Sequence, residues 1–135
     1  VALLLLSADA PAGTTFARLL AASPKSIRIA GYGATSDSRA LGSGGFDAAL
    51  RSATVPVSTI SDTLVTADQA KGAGACTGDS GGPALSGGNV VGVLVGVANS
   101  RKSADYCRGN AYFAAIGRWM SWIETTAANL GQPLQ

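Results

Sequence analysis

The segment best able to do chemistry is Cys76-Thr77-Gly78-Asp79-Ser80-Gly81-Gly82-Pro83. Ser80 has glycine on its C-terminal side and at its second N-terminal position, so no bulky neighbour crowds its hydroxyl. Glycines let the backbone turn tightly and bring N–H groups close to a bound carbonyl. Acyl transfer needs this, because the developing oxyanion must meet preorganised donors about 3 Å away. Gly78-x-Ser80-x-Gly82 also fits the formal pattern of a nucleophile elbow, which requires a strand before the serine and a helix directly after it. Gly81, Gly82 and Pro83 make a poor helix start, and a valine-rich strand pattern comes next, so the elbow is the weaker reading. A glycine-rich turn with an incidental serine is weaker too, because six ordered residues behind a cysteine are hard to obtain by accident. Lys25, Lys71 and Lys102 are the cations available for a Ser–Lys dyad, and nothing in their spacing supports one.

The elements that must position this segment are mostly strands. Glycine and proline punctuate the chain, and the stretches between are short and rich in Val, Ile, Leu and Thr, which is a strand-and-turn pattern. The expected strands are Val1–Ser7, Ser26–Tyr32, Leu50–Val57, Thr63–Ala67, Pro83–Ser86, Val90–Val97 and Ala111–Ala115. Val93, Leu94 and Val95 run together, which suits a strand buried on both faces. Between Ala34 and Asp47 the composition turns to Ser, Gly and Ala, and a mobile surface loop is expected there. One helix is expected near the end. Ile116, Met120 and Ile123 fall at i, i+4 and i+7, with Trp119 beside them, and Gly131 is placed to stop it. The whole pattern predicts an all-β domain, a small antiparallel barrel followed by a C-terminal α-helix.

Composition sets the outer bounds. The 135 residues suffice for one domain, and 47% of them are hydrophobic, as a packed globule requires. Ten basic and eight acidic side chains give a net charge of +2 with no basic stripe, so nucleic acid is not expected as a partner. The longest apolar run, Val1–Leu6, is too short to span a bilayer, and no membrane partner is expected either. It also lacks the basic flank of a signal peptide. The sequence starts at Val1 and not at Met, so a longer gene product is expected. Cys76 and Cys107 suffice for one bridge or for two buried thiols. Trp119 and Trp122 are read as helix packing, and Arg101 and Lys102 as a solvated loop.

The serine segment resembles the signature of the trypsin/chymotrypsin family of serine proteases, whose catalytic triad is well described in general terms. The resemblance extends along nearly the whole chain. Val1-Ala2-Leu3-Leu4-Leu5-Leu6 is similar to the strand that follows the catalytic aspartate in that family. Ile29-Ala30-Gly31-Tyr32-Gly33-Ala34-Thr35 is similar to its G-W-G segment, and Val90–Gly96 to the strand lining its substrate cleft. Ser121-Trp122-Ile123 looks like the S-W-I of its terminal helix. These matches keep the family's order. They imply that residues 1–135 are the C-terminal barrel, a six-stranded Greek-key-type barrel with its helix, and that the N-terminal half of the protease is its partner.

The resemblance also assigns roles. Ser80 is the expected nucleophile, and the backbone N–H groups of Gly78 and Ser80 the expected oxyanion hole. Asp79 resembles the aspartate that pairs with a new N-terminus on zymogen activation. Cys76 and Cys107 match a bridge that closes the specificity pocket, which would place the protein outside the cell or in a periplasm. The pocket itself is expected from Gly74 at the floor with Ala75 beside it, Val95 and Gly96 along the cleft, and Val97 and Ala111 as walls. Without an acidic floor, small or medium apolar side chains are the expected substrate residues. Two positions depart from the family: Val95 and Gly96 stand where it has Ser and Trp. The sequence contains no histidine, and the triad aspartate is expected upstream of Val1. The implied function is a serine endopeptidase acting on protein or peptide through an acyl-enzyme on Ser80, inactive as this chain alone and needing no cofactor or metal. The alternative is a non-catalytic homologue that binds a partner through the same fold.

Overall fold

The computed structural model describes residues 1–35, 49–98 and 105–134. Among them are six strands: β1 (Ser26–Gly31), β2 (Arg51–Ile60), β3 (Leu64–Asp68), β4 (Pro83–Ser86), β5 (Asn89–Ala98) and β6 (Asn110–Ala115). A single long helix follows, α1 (Ile116–Asn129). The strands close into an antiparallel barrel in the order β1-β2-β3-β6-β5-β4. The expected barrel-plus-helix architecture is therefore the one observed.

Local chemistry explains the elements. Ile27 and Ile29 on β1, Val65 and Ala67 on β3, and Ala111, Phe113 and Ala115 on β6 alternate inward and are buried. This period of two is what puts one face of each strand into the core. Phe113 is the largest fully buried side chain among the described residues. It leaves no room opposite, since a Cβ on Gly92 would lie 2.9 Å from the Cβ of Phe113. β4 and β5 form a hairpin through Gly87 and Gly88, both at positive φ (56° and 82°). Two such residues are what a tight hairpin turn demands. Helix α1 buries Ile116, Ile123 and Ala127 along one face. It ends where Gly131 adopts φ 75°. There the Gly131 N–H donates to Ala128 O and the Gln132 N–H to Ala127 O. That pair of bonds satisfies carbonyls the helix end would otherwise leave unpaired.

Three expectations need correction. Val1–Ser7 is not a strand. A closed barrel has no free edge to pair it, and Leu4, Leu5 and Leu6 remain exposed. The N-terminal segment is tied to the barrel further along, where Leu19 bridges to Val90. Second, β5 is not buried on both faces: Leu94 points in, whereas Val95 is 62% exposed. Third, Trp119 and Trp122 are only partly packed. They meet edge to face, with ring centroids 6.2 Å apart, and both stay exposed by more than a third. The loop expected at Ala34–Asp47 lies outside the described residues beyond Thr35, as do Arg101 and Lys102.

Candidate active site

The residues around Ser80 form two tight turns that share Asp79. In the first, the Asp79 N–H donates to Cys76 O (3.1 Å) and Gly78 sits at φ 95°. In the second, the Gly82 N–H donates to Asp79 O (2.9 Å) and Gly81 sits at φ 86°. A positive φ at the third residue is the type II requirement, which glycine meets at no steric cost. Gly82 is required for a different reason, because a Cβ there would lie 2.8 Å from Asp79 O. A β-turn uses the first carbonyl and the fourth N–H and leaves its central N–H groups free. Gly78 and Ser80 occupy central positions, and neither N–H donates to an acceptor among the described residues. The Ser80 side chain is exposed. An exposed hydroxyl and two backbone donors two positions apart, free of acceptors among the described residues, are parts that an acyl-transfer site requires besides its base.

The loop is moored on three sides. On one, Gly33 N–H donates to Asp79 Oδ1 (2.8 Å) and Ala34 N–H to Thr77 O (2.8 Å). The other oxygen of Asp79, Oδ2, accepts from Cys76 N–H (2.9 Å). Gly31 and Gly33 are glycine because a Cβ on either would overlap the Asp79 carboxylate. On the second side, Gly81 N–H donates to Leu94 O (2.8 Å), and Leu94 N–H to Gly82 O (2.9 Å). These bonds hold the serine turn against β5 beside a bulge. Leu94 pairs with Phe113 and Gly96 with Tyr112, so Val95 is the unpaired extra residue. Bulges of this kind re-aim a side chain, and here Val95 is turned out to solvent. The third mooring is the Cys76–Cys107 disulfide, with Cα atoms 4.9 Å apart.

Behind the turns lies a cavity of about 270 Å³. Ile29, Ala34, Leu94 and Phe113 give it apolar walls, and the Asp79 carboxylate lies on it. Arg108 and Asp105 stand at its border as an ion pair (3.2 Å). Of the expected pocket residues, Gly74 and Ala75 line this cavity, whereas Val95, Gly96, Val97 and Ala111 do not. Val97 and Ala111 face each other across β5 and β6 and are buried. Gly96 is half-buried, with open space where a Cβ would stand.

Sequence reasoning missed Gln69. This residue is 1% exposed, the one buried polar side chain among the described residues. Its Nε2 donates to Ala75 O and to Cys107 O (3.0 Å each), and its Oε1 accepts from Ala75 N–H (2.6 Å). The signal was present: Val65, Ala67 and Gln69 continue one inward period of two, so a polar residue was due inside.

Fold and site together define a chymotrypsin-like barrel half carrying a serine on a glycine turn. The sequence profile of the Trypsin family matches residues 1–123, and the chain belongs to that family. No curated protein sequence matches it. Solved structures do. Human heparin binding protein shares 21% identity at a TM-score of 0.70, over 95% of this chain and 57% of that one. Neuropsin, a serine protease expressed in the limbic system of mouse brain, shares 25% at 0.66, over 88% and 56%. An inactivated protease paralogue of the scabies mite shares 21% at 0.60, over 86% and 54%. The chain thus spans little more than half the length of the structures it matches.

Proposed function

We propose that this chain is the C-terminal barrel of a serine endopeptidase in which Ser80 is the nucleophile. The observation that carries the reading is the double turn, with Ser80 exposed and the Gly78 and Ser80 N–H groups beside it finding no acceptor among the described residues. A peptide carbonyl would be attacked by Ser80 Oγ, its oxyanion received by those two donors, and the acyl-enzyme then hydrolysed. The base must be a group that this sequence lacks, since it has no histidine; a preceding barrel would supply it together with the triad aspartate. The exposed Leu4, Leu5, Leu6 and Phe16 suit contact with such a barrel. Asp79, on the cavity behind the turn, is the proposed receiver of a protein N-terminus, and Gly74, Ala75, Val95, Gly96, Val97 and Ala111 are the proposed surroundings of the substrate side chain. The disulfide favours an oxidising compartment, outside the cell or periplasmic.

The test is labelling of the complete gene product with a fluorophosphonate. Stoichiometric modification of Ser80, lost in Ser80→Ala, is expected. A native protein that takes no label and cleaves no peptide would leave the second reading, a homologue that binds without catalysis. That reading draws on Val95, which puts an exposed methyl-bearing side chain where the family has a serine hydroxyl.

A further inference from the structure

We propose that Gln69 is the floor of the substrate pocket and sets its depth; this rests on the protease reading, in which Gly74 lies at the pocket's base. The space a side chain on Gly74 would need is already filled. A Cβ built there would lie 2.6 Å from Gln69 Cγ and would overlap its carboxamide. The carboxamide therefore stands where a charged floor residue would have to be.

Its surroundings make it a fixed and inert floor. Gln69 follows Ala67 on the inward face of β3, and its own N–H extends the pairing of β3 with β6 by donating to Gly109 O (3.1 Å). Ala67 pairs with Ala111, which in turn pairs with Val97. Floor and proposed walls are thus neighbours in one sheet. Both Nε2 hydrogens are spent on Ala75 O and Cys107 O, and Oε1 accepts from Ala75 N–H. No donor is left for a substrate, and no charge is present. The same bonds tie together the segments on either side of the disulfide, so the amide cannot swing aside without unpairing the buried N–H and C=O of Ala75 and the part-buried C=O of Cys107. Gln69 is itself only 1% exposed, so it acts from beneath Gly74 as a neutral, fixed plug: a pocket closed at that depth suits alanine- to valine-sized groups and excludes long or charged ones.

Two substitutions of Gln69 in the complete gene product test this. Gln69→Ser shortens the side chain and opens the floor, whereas Gln69→Met keeps its length but loses all three hydrogen bonds. The probes are peptide amides that differ only in Ala, Val, Leu or Phe before the scissile bond. Gln69→Ser should raise kcat/KM for Leu or Phe relative to Ala by about tenfold or more, the scale on which pocket size discriminates. Gln69→Met should leave that ratio unchanged, although both variants melt at lower temperature. An unchanged ratio in both variants overturns the proposal. So does an equal shift in both, since Gln69 would then act only by stiffening the fold. A second measurement needs no catalysis. Gly74→Ala should destabilise the wild-type protein in urea and be tolerated beside Gln69→Ser. Compensation without any hydrolysis upholds Gln69 as occupant of that space and sinks the protease reading instead. Additive effects at the two positions overturn the floor assignment whether or not peptide is cleaved.

Discussion

Gly33 and Asp79 should behave as one unit, with a sign change that exposes the coupling. In the native protein a Cβ on Gly33 would overlap the Asp79 carboxylate. The carboxylate would have to swing away and give up its bonds from Gly33 N–H and Cys76 N–H. Hydrogen bonds to a charged group contribute about 1.5–3 kcal/mol each. The neighbouring cavity, about 270 Å³, admits water to the orphaned groups, which places the loss near the lower end, about 3 kcal/mol in total. Gly33→Ala should therefore destabilise by roughly that amount and lower the melting temperature by about 10 °C. Asp79→Ala alone should cost a similar amount for the same reason. In the double variant the obstacle is gone. Gly33 does not have a positive φ, so alanine is compatible there and stabilises by about 0.4–1 kcal/mol through the unfolded chain. The double variant should then be no less stable than Asp79→Ala and slightly more so. Urea melts of the four disulfide-intact proteins, at sub-micromolar concentration, close the cycle. Costs that simply add would show that Gly33 and Asp79 are not in contact and would remove the mooring of the serine turn.

The chain by itself should not hydrolyse peptides or take up a fluorophosphonate, because no imidazole is available to the serine; stoichiometric labelling of Ser80 in the 135-residue chain would refute this. It should also associate at micromolar concentration, since Leu4 and Phe16 are 87% and 72% exposed, and a monodisperse monomer in sedimentation would count against the proposed interface. Replacing Cys76 and Cys107 together by serine should cost about 3–4 kcal/mol on the chain-entropy account of a loop with sequence separation 31. A change below about 1 kcal/mol in urea would mean that the two segments are held by Gln69 and the barrel alone. The complete protein should cleave after small or medium apolar residues in a peptide-library profile, because a guanidinium left buried and unpaired in this pocket costs several kcal/mol. Dominant cleavage after Arg or Lys would show that the pocket has been misplaced.

What was legible in the sequence was what local chemistry decides. The glycines at 78 and 81 are there for their φ, Gly87-Gly88 for a hairpin, and Gly131 to end a helix. Each acts within four residues, so spacing alone carries the information. The inward period of Ile27 and Ile29, or of Ala111 and Phe113, is local in the same sense. Tertiary structure decided whatever depends on a partner distant in the chain. Val1–Ser7 has strand composition but no strand, because barrel closure consumed every edge. Val95 sits in an apolar run and still faces solvent, because β6 pairs past it. Asp79 gains its place from Gly33, 46 residues away. Gln69 gains its own from Cys107, 38 residues away. A buried amide is tolerable only when every polar atom finds a partner, and those partners come together only once β3, the serine loop and the turn before β6 have closed on one another.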